Sequence, residues 1–476
     1  MINLIKNELK KISKKKVLYI MFVVTLAFMI LINILQKKFQ NSFDSYSEDQ
    51  VSFYKEQLEN ITEESNPDFY ADCKSIVDAS ELVNKYGLDS WQRYIIESKL
   101  QSMMKEMIRT KSGAEYDELK KQYDQIVENL EKGNWQTFAN EELEKIESEL
   151  ATVGNSEIER DNLEDAKQVV QWRIEKDIPY GKSVLNSYLE TWYESRVLIR
   201  QFNEKNNPSH DDKMENQKNI ATAEICKYAI ENKINTKISN QGNSSLKYSM
   251  QTNAKTELLN VFDEYELFII ITIAIIAGTM ISEEFNKGTI KLLLVRPYSR
   301  IKILCAKFFT CLIILIVTLM TVAIMQTVVG GIIYGFDSYG AKTVVYSFNT
   351  NALNTINMFG YMVLLALAKL PKFVLLMTLA FTLSTVFTNS PIAIAIPLLG
   401  TMVESIINQL AYTYDKAKFL IYFVTPNWDF SQYLFGCLPN MKLLSLQFSI
   451  SVCIVYFVVL IGLSLINFKK KNIKNI

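Results

Sequence analysis

The chain has 476 residues, 51 Lys and Arg against 51 Asp and Glu, and 49% hydrophobic residues, totals that a soluble protein could share. The distribution points instead to a membrane, because several runs approach the roughly 20 apolar residues that cross a bilayer. None of the six cysteines pairs in a CxxC pattern, and a single histidine, His210, excludes a histidine-rich metal site.

Residues 1–16 carry Ile2, Ile5, Leu9 and Ile12 on one helical face and Lys6, Lys10, Lys11, Lys14, Lys15 and Lys16 around them. This is either a basic flank that orients the next segment or an amphipathic cytoplasmic helix lying in the headgroup layer. Val17 to Leu35 reads as the first transmembrane span. It is longer than a signal core and has no small-x-small cleavage pattern, so it is expected to stay as an anchor. The lysines ahead of it place the N-terminus in the cytoplasm.

Residues 37–264 form a polar block, expected to be an extracellular, mainly helical domain. Acidic residues exceed Lys and Arg there by 14, so the rest of the chain holds the matching positive surplus. Helical stripes run through Tyr116, Leu119, Tyr123, Ile126, Val127 and Leu130, through Leu143, Ile146 and Leu150, and through Leu185, Tyr188, Leu189 and Trp192. These stripes read as core. Gly113, Gly133-Asn134, Gly154-Asn155 and Pro179-Tyr180-Gly181 read as breaks. The polar stretches 206–219 and 240–249 read as loops. Cys73 and Cys226 could close the block as a disulfide or stand as two free thiols.

Residues 265–281 are expected to return the chain inward as span 2, with Asp263, Glu264 and Glu266 at its outer edge. Residues 282–307 are then cytoplasmic. Phe308 to Val329 crosses outward, and 337–357 is an outer loop. Met358 to Ala368 and Phe373 to Thr388 are apolar but interrupted by Lys369-Leu370-Pro371-Lys372. This is one long broken helix, or a re-entrant segment followed by a span. The cost of two lysines in mid-membrane favours the second reading, with the lysines near the outer interface. Asn389-Ser390-Pro391 turns the chain. Ile392 to Ile407 is a span with Pro397 and Gly400 inside and Glu404 near its outer part, facing either protein or the interface. After an outer loop over 408–442, Phe448 to Ile466 is the last span, and Lys469, Lys470, Lys471 and Lys474 place the C-terminus inside. The expected fold is an all-α polytopic membrane protein of six transmembrane helices (17–35, 265–281 and four within 308–476), with both termini cytoplasmic.

No P-loop, HExxH, GxSxG or dinucleotide fingerprint is present, and the lysines abut spans rather than form a nucleic-acid stripe. Glu283 and Glu284 are adjacent, so they do not face each other as catalytic acids do. Instead Ser282-Glu283-Glu284-Phe285 opens a short helix, Gly288 permits a sharp turn, Ile290 to Val295 supplies an apolar patch, and Arg296-Pro297 ends it. A plain connecting loop has no need of consecutive large aliphatics there.

The order Glu283-Glu284-Phe285-Asn286-Lys287-Gly288-Thr289, the aliphatic run, Arg296-Pro297-Tyr298-Ser299-Arg300 and then Lys307 resembles the ABC transporter permease subunits of the type-2 exporter class. The basic N-terminal helix and the polar break at Thr388-Asn389-Ser390 are similar too. The likeness covers the membrane half, about 250 residues. The large insertion between spans one and two is similar to a subset, the bacitracin, lantibiotic and sodium-export permeases. The resemblance implies a subunit of the bacterial cell membrane with no ATPase of its own, and hence a transport protein rather than an enzyme. ATP and magnesium would be bound by two copies of a separate ATP-binding subunit. A second permease subunit, identical or homologous, would complete the pathway among membrane lipids, with no nucleic acid involved. Glu283, Glu284, Phe285, Gly288 and Thr289 would form the coupling helix, and Arg296, Pro297, Arg300 and Lys307 would anchor it at the inner face. The cargo expected is an antimicrobial peptide or other small amphiphile. The alternative is a membrane sensor or scaffold whose outer domain binds a peptide or envelope component.

Overall fold

In lipid the backbone finds no hydrogen-bond partner but itself, so uninterrupted apolar runs must be helical. In the computed structural model, which describes residues 1–40, 48–87, 90–154, 156–243, 252–289, 298–387, 390–413 and 415–470, they are. Among the described residues, five helices are long and apolar enough to cross a membrane: Lys16–Lys38, Arg300–Tyr334, Met358–Val386, Ser390–Thr413 and Leu446–Lys470. The chain is a multi-pass, predominantly helical membrane protein. Two compact units are present. One comprises residues 1–34, 209–217 and 253–476; the other comprises 35–208 and 218–252.

The membrane unit is centred on the helix Glu266–Thr279. It has 14 residues, a rise of roughly 21 Å against the roughly 30 Å of a hydrocarbon core. The expected span 2 is therefore short, although it is the innermost helix: Ile269, Ile270, Ile273, Ala274, Ala277 and Gly278 are all buried. Gly278 sits against the backbone of Ala393, where a Cβ would stand 3.2 Å from the carbonyl carbon and oxygen. Two short helices, Ala254–Leu259 and Val261–Glu264, lead into it. The first is closed by a reciprocal capping box between Asn253 and Thr256.

Three expectations change. Met358–Val386 is one continuous helix with Pro371 inside it, not a re-entrant segment followed by a span. Residues 343–347 and 352–356 form a two-stranded antiparallel hairpin, pairing Thr343 with Ile356, so the outer loop is not wholly irregular. Part of the polar stretch 206–219 is helical, within His210–Glu231. Of the expected turn, Asn389 lies outside the described residues, as does Thr388 before it, and Ser390 and Pro391 already open the helix Ser390–Thr413. Asn33 on the first long helix and Gln326 exchange amide hydrogen bonds of 3.1 and 3.3 Å, and Asn33 donates to the Tyr265 hydroxyl at 3.1 Å. Polar side chains buried in an apolar bundle require such pairing.

The other unit is a stack of helices, among them Pro67–Tyr86, Gln101–Thr110, Ala114–Lys132, Trp135–Thr152, Glu157–Glu175 and Val184–Asn203. Asn66, Asn134, Ser156 and Ser183 cap four of them with side-chain acceptors. Its core gathers Ile95, Ile96, Leu100, Leu130, Phe138, Ala139 and Val170. Arg173 lies over the Tyr180 ring, 4.0 Å from its centroid, and Tyr94 stacks on Tyr180. Cys73 and Cys226 are both buried and free, so the unit is held by packing and not by the disulfide that spacing left open.

Candidate functional site

Helix Ser282–Asn286 is a single turn that follows the central helix directly. Ser282 Oγ donates to the Gly278 carbonyl at 2.7 Å and lies 2.8 Å from Ser390 Oγ, which fixes where the turn begins. Successive helical residues point about 100° apart, so the two adjacent acids diverge. Glu284 turns inward, with 5% of its side chain exposed, and Glu283 lies at the half-buried edge.

Glu284 Oε1 accepts from Lys307 Nζ at 2.8 Å and from Lys11 Nζ at 2.5 Å. Lys307, 1% exposed, also donates to Glu8 Oε2 at 3.0 Å. Glu283 accepts from Lys15 at 2.5 Å and from Lys287 at 2.8 Å. The N-terminal helix Ile2–Ile12 is thereby tied to the short helix and to the start of Arg300–Tyr334. Burial pushes the Glu284 carboxyl up, but Lys307 and Lys11 outweigh it and hold the group below its usual range. Lys11 shows the reciprocal effect: burial lowers its pKa, the Glu284 hydrogen bond raises it, and the result is raised.

The residues singled out in the sequence therefore divide. Glu284 and Phe285 are buried, taken up by this chain's own lysines and apolar core. What faces outward is the turn Asn286-Lys287-Gly288-Thr289. Gly288 has φ +66°, the left-handed conformation that glycine adopts without strain. Lys307 is a buried counter-ion that holds Glu284 of this segment. Arg300 donates to the Lys469 carbonyl at 3.0 Å, tying this segment to the C-terminal end of Leu446–Lys470. Arg296, Pro297 and the aliphatic run 290–295 lie outside the described residues.

A second charged cluster stands at the opposite end of the central helix, and sequence reasoning did not assemble it. Lys369 and Lys372 are buried within the protein, 6% and 7% exposed. Lys369 pairs with Asp263 and, at 3.2 Å, with Asp429. Lys372 pairs with Glu266 at 2.6 Å and with Glu404 at 2.7 Å. Trp428 Nε1 donates to Glu404 at 2.8 Å, which settles that Glu404 faces protein. Asp429 also accepts from the Ser431 backbone and hydroxyl. Burial raises the Asp429 carboxyl, and Lys369 and Ser431 bring it below its usual range. Two carboxylates per lysine supply the compensation that lets an ammonium sit inside a bundle. Lys369, Lys372 and Glu404 were visible as anomalies in apolar stretches; their partnership was not, since the ion pairs span about 32 to 106 residues of chain.

Among the described residues, no group of three His, Cys, Asp or Glu side chains could hold a metal ion. Both clusters are buried ion-pair networks that tie separate helices together.

A family model described as "Protein of unknown function (DUF2705)" matches residues 228–474. The uncharacterized protein YhcI of Bacillus subtilis (strain 168) is 32% identical over 205 residues, which are 42% of this chain and 63% of that protein. The uncharacterized membrane protein YdbK of the same organism is 26% identical over 190 residues, 40% of this chain and 72% of that protein. The match thus spans less than two thirds of the length of the first of these relatives. No solved structure matches the chain.

Proposed function

The chain belongs to the DUF2705 family, and on that premise we propose that it is the membrane-spanning subunit of an ATP-driven exporter, moved by a separate ATP-binding subunit. The observation that carries this reading is the single-turn helix Ser282–Asn286. It sits between two membrane helices, braced by Glu283 and Glu284 against Lys11, Lys15 and Lys307, and presents an exposed turn. A braced tab of this kind passes a push on the turn to three helices at once. The acid, Gly-Thr, aliphatic, Pro and Arg order of the sequence supports the same reading. The central helix Glu266–Thr279 counts in it as a sixth crossing, with both termini cytoplasmic in the bacterial cell membrane. Two motor subunits and a second permease subunit complete the assembly, and an antimicrobial peptide or other small amphiphile is the cargo. ATP and magnesium belong to the motor.

The test is co-expression with an ATP-binding subunit encoded beside it, followed by purification of the complex and ATPase assay. Lys287→Glu and Gly288→Val change the exposed turn and leave the Glu284 contacts to Lys11 and Lys307 in place, although Lys287→Glu removes one of the two partners of Glu283. They are expected to lower co-purification and cargo-stimulated hydrolysis. A complex that forms and turns over normally with both variants overturns the coupling role. The second unit, with a core of its own, favours one further reading: a sensor or scaffold that binds a peptide or envelope component without moving it.

A further inference from the structure

The unit formed by residues 35–208 and 218–252 carries a cleft of about 690 Å³, of the size that takes a small ligand or a few side chains of a peptide. Its floor is Leu82, Met104, Met107 and Ile108, with Tyr116 and Tyr123 along the wall. Met104 is buried, and Met107 and Ile108 are half-buried beneath the opening. Unbranched thioether side chains repack around different apolar shapes, a property of surfaces that accept amphipathic segments.

Its rim is acidic. Glu63, Asp78 and Glu81 line it against one cation, Lys111. Lys111 is already paired with Glu63 at 2.9 Å, and Asp78 is paired with Lys74. Glu81 is exposed at the edge and adds a further negative charge. The two tyrosine faces beside these acids favour a cation as well. The wider block 37–264 has its acidic excess of 14, so the local field has the same sign as the rim.

We infer that this cleft binds a short cationic amphipathic peptide, its apolar side chains on the methionine floor and its Lys or Arg groups against Glu81 at the acidic rim. An anionic ligand meets the wrong charge, and an uncharged apolar one leaves the rim unused. The inference does not require the chain to be an exporter: a sensor could use the same cleft.

The experiment uses the full chain in lipid nanodiscs without any ATP-binding subunit. The probe is a fluorescent 14-residue peptide of alternating leucine and lysine blocks, read by anisotropy with empty nanodiscs subtracted. Two comparison peptides carry Gln or Glu in place of Lys. The lysine peptide is expected to bind tightest, and the rim variant Glu81→Gln to weaken it about threefold, in line with the loss of one exposed ion pair. Met107→Gln, on the floor, is expected to weaken the lysine and glutamine peptides alike. Circular dichroism and melting temperature confirm folding of each variant. Equal binding of the three peptides, or equal binding of the lysine peptide to wild type and the rim variant, overturns the proposal. Because no motor is present, a failed ATPase test leaves this result standing, and a failed binding test leaves the coupling reading standing.

Discussion

Glu284 shows what one buried acid can hold. It meets Lys307, which is itself enclosed, and Lys11 from the N-terminal helix. Glu284→Gln would leave Lys307 with Glu8 as its remaining carboxylate, and an under-compensated buried charge costs on the order of 3 kcal/mol. The expected outcome is a lower melting temperature in detergent at neutral pH. The Glu284 carboxyl lies below its ordinary value of 4.5 in the folded chain. Its contribution is therefore complete above that value and is lost as pH falls through the lower folded value. The gap in melting temperature between wild type and Glu284→Gln should close in that acid range and stay constant from pH 6 to 8; a gap unchanged in acid would mean that another group holds Lys307. Lys372 offers the converse case. Lys372→Met leaves Glu266 and Glu404 with no shared cation, whereas Lys372→Met with Glu404→Gln removes one of the two orphaned acids. The double variant is expected to melt above the single one, and the coupling between them measures the ion pair.

At the scale of elements, the central helix owes its position to a missing side chain. Gly278 brings it against the Ala393 backbone, and a Cβ there would stand closer than ordinary contact. Gly278→Leu is expected to force Glu266–Thr279 and Ser390–Thr413 apart, costing on the order of 2 kcal/mol through overpacking. It should also abolish a disulfide engineered between Ser282→Cys and Ser390→Cys, whose side chains touch in the native chain. Most of the helices were legible from local pattern. The stripe from Tyr116 to Leu130 lies within Ala114–Lys132, and the stripe from Leu185 to Trp192 within Val184–Asn203. The one-helix reading of Met358–Val386 was penalised for a real cost, two charges among apolar residues. The compensating acids come from three other parts of the chain, and periodicity carries no information about them. The same limit hid the partners of Glu284. A motif shows that an acid stands at position 284, and only the fold shows that Lys11 and Lys307 reach it. The hairpin at 343–356 escaped for another reason, since its second strand, Ala-Leu-Asn-Thr-Ile, has little of the alternation that marks a buried strand.

For the molecule as a whole, the charge distribution and the number of crossings must agree. If Glu266–Thr279 crosses, the chain has six passes, and residues 1–16, 282–307 and the C-terminal lysines share one face while residues 37–264 occupy the other. If the helix does not cross, five passes put the two termini on opposite faces, and the exposed turn at Lys287 joins the polar block. The lysine content of the termini favours six, because basic flanks are retained in the cytoplasm and a long acidic segment is free to cross. Cysteine labelling separates the two cases. With the half-buried Cys305 and Cys437 changed to Ser, the remaining native thiols are buried and unreactive toward a charged maleimide. Lys121→Cys, on an exposed face of the polar block, is expected to label in intact cells. Lys287→Cys and Lys6→Cys are expected to label only after the membrane is permeabilised. Labelling of Lys287→Cys from outside, with Lys6→Cys protected, would reduce the count to five and remove the exposed turn from the reach of any cytoplasmic motor.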